Sequence, residues 1–171
     1  MQMVSSRHNG GRKPSGVSRY RIMTGLQLPL QFDRARLRAD LDGIGPDEWL
    51  PHYNNQDYGG EWRGVPLRSL RGSASDLSAS VATPAIEFAP APALSRCSYF
   101  QEVLGAFPCR LKAVRLLRLS SGSVVHEHSD PQLGYEYGEM RIHVPVQTSS
   151  EVEFKPPSDT IPPWATVRVL R

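Results

Sequence analysis

The sequence lacks the features that mark several large classes of protein. It has only two cysteines, Cys97 and Cys109, which form neither a disulfide framework nor a metal spacing, so we expect a reducing, cytoplasmic setting. No apolar run approaches the roughly 18 residues that suggest a membrane span. The net charge is only +3 and is concentrated near the start, so the body has no basic footprint for nucleic acid. We therefore expect neither a membrane nor a nucleic-acid partner.

The first acidic residue is Asp33, and the stretch before it is basic and contains serine. This stretch has no hydrophobic periodicity and no apolar cluster. We expect residues 1–25 to form a disordered basic extension. The alternative is a mitochondrial transit peptide, which has a similar composition.

Prolines and glycines are plentiful, 15 and 14 respectively, and they favour strands and turns over long helices. Two helices are nevertheless predicted. Asp33 is the expected N-cap of a helix over residues 34–41 that Gly43 ends, and Ser98 with Gln101 fits a capping box for a second helix. The remaining short strands predict a mostly antiparallel β-sandwich or barrel with helices packed outside. We expect the aromatic segment 49–68 to supply core and cleft wall, with a binding cage as the alternative.

Three of the five histidines, His126, His128 and His143, lie within residues 115–154. Residues i and i+2 of a strand point to the same face, so His128 and Asp130 would lie side by side. They would form two-thirds of the two-histidine, one-carboxylate triad that binds non-haem Fe(II). The alternative is a surface hydrogen bond between the two, because such a triplet is common by chance. His126 would either contact one of these two side chains without binding the metal or lie at the surface.

The next strand alternates between apolar and polar residues. Its apolar positions fall on one face: Met140, Ile142 and Val144. Arg141 and His143 therefore share the other face, and a guanidinium beside an imidazole suits a small carboxylate. The alternative is that Arg141 pairs with Glu139 or Glu136.

The run from LLRLSSGSVVHEHSD to GYEYGEMRIHVPVQTSSEVEF resembles the core of the aspartyl/asparaginyl β-hydroxylase family. The resemblance extends over residues 26–155 and includes LPLQFD, EWLPHYNNQDYGGEWRGVPLRS and FPCRLKAVRLLRL in the same order. It is strongest for the bacterial branch that includes small proline hydroxylases. It implies one jelly-roll domain, a double-stranded β-helix of the cupin-like type, that uses Fe(II), 2-oxoglutarate and O2.

The matching positions imply His128 and Asp130 as iron ligands. They also imply Arg141 and His143 as contacts to the 2-oxoglutarate carboxylate near the metal. We therefore expect a dioxygenase that hydroxylates a free amino acid such as proline, or an Asp, Asn or Pro side chain of a peptide.

The sequence departs from the family pattern after Phe154, where it continues as KPPSDTIPPWATVRVLR. The family pattern continues with a second histidine ligand and an arginine for the far carboxylate of 2-oxoglutarate, but no histidine follows His143 here. We expect residues 156–171 to be an atypical proline-rich tail, with the C-terminal strands missing or replaced. The absence of the second histidine ligand leaves two outcomes open for the hydroxylase, activity or loss of activity by truncation. The alternative function is a non-catalytic jelly-roll remnant that binds a small acid or a protein partner.

Overall fold

The computed structural model describes residues 1–6, 26–79, 87–126, 128, 138–148, 152 and 166–169. Ten strands and two α-helices make up this part of the chain. The strands are β1 (Gln2–Ser6), β2 (Leu26–Leu28), β3 (Leu50–Pro51), β4 (Tyr58–Gly59), β5 (Trp62–Leu70), β6 (Phe88–Pro90), β7 (Arg110–Leu119), β8 (Val124–Val125), β9 (Glu139–His143) and β10 (Thr166–Val169). The helices are α1 (Arg34–Asp42) and α2 (Ser98–Gly105), with 3₁₀ turns at Pro46–Glu48 and Pro92–Arg96.

Eight of these strands form one sheet. Its order is β2-β10-β9-β1-β7-β5-β3, and β6 also pairs with β5. β4 and β8 form a separate two-stranded sheet. The pairings are antiparallel except for those of β10 with β2 and β9. The expected β-rich, mostly antiparallel structure with helices is therefore confirmed at this level.

The first strand differs from the sequence expectation. Disorder was expected for residues 1–25, but Gln2–Ser6 lies in the sheet between β7 and β9. Pairing on both sides satisfies the backbone N–H and C=O groups of β1, and side-chain periodicity does not reveal this stabilisation. Residues 7–25 lie outside the described residues, as do Asp130 and most of the expected proline-rich tail.

Helix α1 is placed as its local sequence predicts. The Asp33 carboxylate accepts hydrogen bonds from the backbone N–H groups of Ala35 at 2.8 Å and Arg36 at 3.0 Å. Gly43 follows the last helical residue as the C-cap. The residues that cap the two ends of α1 lie directly beside the helix, so the local sequence was sufficient to locate it.

Helix α2 is present, but its predicted capping box is wrong. The N-cap is Cys97, which makes no side-chain capping bond, and Ser98 is already helical. The backbone N–H of Phe100 instead donates to the carboxylate of Asp40 at 2.7 Å. Asp40 belongs to α1, so a tertiary contact satisfies the start of α2, and local spacing could not reveal it.

Both helices contribute to a core that covers one face of the large sheet. Its most deeply buried side chains include Leu37, Val65, Leu67, Phe100, Val103, Val114, Leu116, Ile142 and Val144. Ile142 and Val144 are each 2% exposed and Met140 packs against the core, which confirms the predicted alternation of this strand. The side chains between them therefore point to the opposite face of the sheet.

Candidate functional site

Cross-strand register brings the predicted cosubstrate residues onto the face opposite the core. His143 lies opposite Gln2, which in turn lies opposite Arg115. Residues directly opposite each other in antiparallel strands point to the same side. His143 and Arg115 therefore share a face, and Arg141, two residues before His143, shares it too. Arg141 and His143 are both partly buried.

Glu139 is one of the two acidic residues predicted as alternative partners of Arg141. Glu139 is buried, and one of its carboxylate oxygens forms an ion pair with Lys112. The other candidate, Glu136, lies outside the described residues. Glu139 is therefore committed at least in part to a lysine from β7.

Arg115 is a buried cation on this face that sequence reasoning missed. It is 4% exposed, and its Nη1 donates to the carbonyl oxygen of Leu77 at 2.7 Å. A buried guanidinium is uncommon because desolvation of its charge is costly. The available signal was an arginine between Val114 and Leu116, two core residues on the same strand.

An aromatic cluster lies on the same face at the start of β5. Trp62 lies opposite Leu119 of β7, in the same alternating set as Arg115. On its other side the backbone N–H of His52 donates to the Trp62 carbonyl oxygen at 2.8 Å. The two rings stack with centroids 3.7 Å apart and planes 4° apart. His52 and Trp62 are therefore cross-strand neighbours in direct contact.

Two tyrosines extend this stack. Tyr58 meets His52 and Trp62 edge-on, at interplanar angles of 87° and 89°. Tyr53 stacks on His52 at 4.7 Å and is 63% exposed. The cluster thus runs from the buried Trp62 to the surface.

Burial lowers the pKa of His52 to about 4, and the charge of Arg115 acts in the same direction. The backbone of Asn54 and the carboxylate of Asp57 oppose this shift. The Nδ1 atom of His52 is buried. Within the described residues, it has no hydrogen-bond partner at the usual distance and angle. The ring is therefore uncharged at neutral pH.

His128 rests against this aromatic cluster. Its ring centroid lies 6.5 Å from that of Trp62, at an interplanar angle of 51°. Its Nδ1 lies 2.8 Å from the carbonyl oxygen of His126. Because a carbonyl only accepts, Nδ1 carries the proton of the neutral ring and Nε2 keeps the lone pair. Metal-bound histidines in proteins have this arrangement, so the geometry of His128 fits a ligand.

His126 itself contacts the loop before β4. Its Nδ1 lies 3.2 Å from the carbonyl oxygen of Gln56, and its backbone N–H donates to the carbonyl oxygen of Asp57 at 2.7 Å. The ring is exposed. Regular strand pairing ends at Val125, so His126 and His128 lie beyond the strand.

The described residues do not assemble three histidine, cysteine, aspartate or glutamate side chains around a possible metal position. Of the two predicted iron ligands, His128 is described and Asp130 lies outside the described residues. Within the described ranges, no helix is long and apolar enough to cross a membrane.

Comparisons with known proteins do not assign a family. No protein-family model, no curated protein and no solved structure matches the chain. The resemblance to the aspartyl/asparaginyl β-hydroxylases therefore stays a prediction.

Proposed function

We propose that the protein is an Fe(II)/2-oxoglutarate-dependent hydroxylase-like protein. The observation that carries the proposal is the state of His128, whose Nδ1 is bound to a backbone carbonyl so that Nε2 keeps its lone pair. Asp130 follows two residues later in the sequence. His128 also contacts Trp62. The Trp62 side chain lies on the same face of the large sheet as Arg115 and His143.

His128 and Asp130 would bind Fe(II), and Arg141 with His143 would bind the carboxylate of 2-oxoglutarate. A guanidinium beside an imidazole provides charge-assisted hydrogen bonds to a carboxylate. Bound Fe(II), with O2 and 2-oxoglutarate, supplies the oxidising power to hydroxylate an unactivated carbon. The substrate would be a free amino acid such as proline, or an Asp, Asn or Pro side chain of a peptide. The buried face of the aromatic cluster would keep water away from one side of the site.

We also propose a jelly-roll fold. Its support is the large sheet, which has helices on one face and the candidate site on the other, together with the small β4–β8 sheet. A cytoplasmic location is proposed because Cys97 and Cys109 are both free thiols.

Metal titration under anaerobic conditions tests the ligands. Fe(II) should bind the unaltered protein, and His128→Ala or Asp130→Asn should weaken binding by at least about tenfold, because affinity depends on ligand number. Asp42→Asn is the matched control, because Asp42 is an exposed carboxylate of α1 that pairs with Arg38. Unchanged affinity in the His128 variant would contradict the assignment.

Turnover is measured separately as succinate formed from 2-oxoglutarate in the presence of Fe(II) and O2. Arg141→Met should raise the concentration of 2-oxoglutarate needed for half-maximal turnover, because the variant loses a charge-assisted hydrogen bond to the carboxylate. Succinate formation that does not depend on Fe(II) would contradict the proposed reaction.

The second candidate is a non-catalytic jelly-roll domain that binds a small acid. Its specific support is the pair of guanidinium groups, Arg115 and Arg141, that lie with His143 on one side of the sheet, while Glu139, on the same strand as Arg141, is paired with Lys112. Isothermal titration with 2-oxoglutarate in the presence of a chelator distinguishes the two functions. Binding that needs no metal, without succinate formation when Fe(II) is present, favours this second function.

A further inference from the structure

The carbonyl group that binds Nδ1 of His128 belongs to a residue at the end of regular pairing. The β4–β8 sheet pairs Tyr58 with Val125 and Gly59 with Val124, and it extends no further along the chain. His126 comes next. Its backbone N–H donates to Asp57, and its imidazole Nδ1 makes a second hydrogen bond, to the Gln56 carbonyl oxygen. The His126 side chain therefore holds this segment to the loop at Gln56 beyond the point where strand pairing ends.

The loop that receives His126 is itself fixed by several contacts. The side-chain amide of Asn54 donates to the carboxylate of Asp57 at 2.5 Å. The backbone N–H of Glu61 donates to Ser123 Oγ at 2.9 Å. Gly60 has φ +88°, and a Cβ atom there would lie 2.6 Å from Ser123 Oγ. The carbonyl groups of Gln56 and Asp57 are thus held in place against the segment that carries the histidines.

We infer that His126 is a positioning residue for His128. Its imidazole binds the Gln56 carbonyl, and this contact fixes the backbone at residue 126. The His126 carbonyl then stays 2.8 Å from Nδ1 of His128 and selects the tautomer in which Nε2 has the lone pair. The imidazole of His126 acts through this backbone.

The role of this tautomer in metal binding rests on the proposed function, but the tautomer itself does not. It can be read in the metal-free protein from the 15N chemical shifts of the His128 ring at pH 8, where imidazoles are normally neutral. The unaltered protein should show a protonated Nδ1. His126→Ala should shift His128 towards protonation of Nε2.

Two further variants provide a matched pair. In His126→Asn the side-chain amide can lie where Nδ1 lies and can donate to Gln56, whereas the longer side chain of His126→Gln places its amide at the position of Nε2. The asparagine variant should keep the original tautomer and the glutamine variant should lose it. This comparison also decides the matter if His126→Ala does not fold, because a loss of packing alone would affect both polar variants.

Fe(II) affinity in the same four proteins adds a second measurement. The affinity should fall by about tenfold in the alanine and glutamine variants and recover in the asparagine variant. A tenfold change is at the lower end of what hydrogen-bond partners of metal ligands contribute to metal affinity. An unchanged His128 tautomer in the alanine and glutamine variants overturns the inference, whatever the metal affinity. If the tautomer responds as expected but the unaltered protein binds no Fe(II), the positioning role stands and the proposed iron function fails.

Discussion

Acid should destabilise the protein through His52. The pKa of this histidine is about 4 in the folded protein, against an ordinary value of 6.5. Between these two values the unfolded chain binds a proton that the folded protein does not bind. The free energy of unfolding therefore falls as the pH falls from 6.5 to 4, and the contribution of His52 is complete above pH 6.5. At about 1.4 kcal/mol for each pKa unit, the loss approaches about 3 kcal/mol.

The test compares the unaltered protein with His52→Phe. Phenylalanine keeps an aromatic ring against Trp62, where His52 now stacks at 3.7 Å, but it cannot take up a proton. Urea denaturation at pH 7.5, 6.5, 5.5 and 4.5 gives the free energy of unfolding of each protein. The unaltered protein should lose about 2.5 kcal/mol more than the variant over this range, because the titration is not yet complete at pH 4.5. Tyr58→Phe is the control, because it leaves His52 in place and should keep the acid dependence.

Equal acid dependence in the unaltered protein and the His52 variant would refute the reasoning. It would mean that water reaches the imidazole in solution despite its 7% exposure. An NMR titration of the His52 ring gives the same answer directly. A measured pKa near 6.5 would contradict the burial on which the prediction depends.

Further predictions concern the core, a helix cap and a turn, each measured by urea denaturation at pH 7.5. Phe100→Ala should lower the free energy of unfolding by about 3–5 kcal/mol, because Phe100 is fully buried and its removal leaves a cavity. Asp33→Ala should lower it by about 0.5–2 kcal/mol through loss of the α1 cap, and a full recovery in Asp33→Ser would be expected. Gly60→Ala should destabilise by more than about 1 kcal/mol, because of its positive φ and the 2.6 Å approach to Ser123. Gly105→Ala is its control, since a Cβ there meets nothing within 4 Å, and equal losses in both variants would contradict the steric reasoning.

Local sequence predicted the features whose physical cause lies within a few residues. The Asp33 cap and the helix after it depend on hydrogen bonds between near neighbours, so composition and spacing were sufficient. The division of β9 into a core face and a polar face depends only on alternation. Ile142 lies on the core face and Arg141 on the polar face, as predicted.

Several parts of the candidate site could not be predicted in this way. Arg115 reads in the sequence as one member of an apolar strand, and only the strand order places it on the face shared with His143. The position of β1 between β7 and β9 depends on backbone hydrogen bonds, which any side chain accommodates. The start of α2 depends on a carboxylate of α1 about 60 residues away, since Phe100 donates to Asp40.

The sequence by itself determined which side of β9 each residue takes, because side-chain direction alternates with a period of two along a regular strand. It thereby put Arg141 with His143 before any tertiary information was available. Only the tertiary structure decided which strands are neighbours. That pairing set His52 against Trp62 and brought Trp62 to His128. The physical reason is that strand pairing joins backbone groups far apart in the chain, and those groups are chemically the same at nearly every residue.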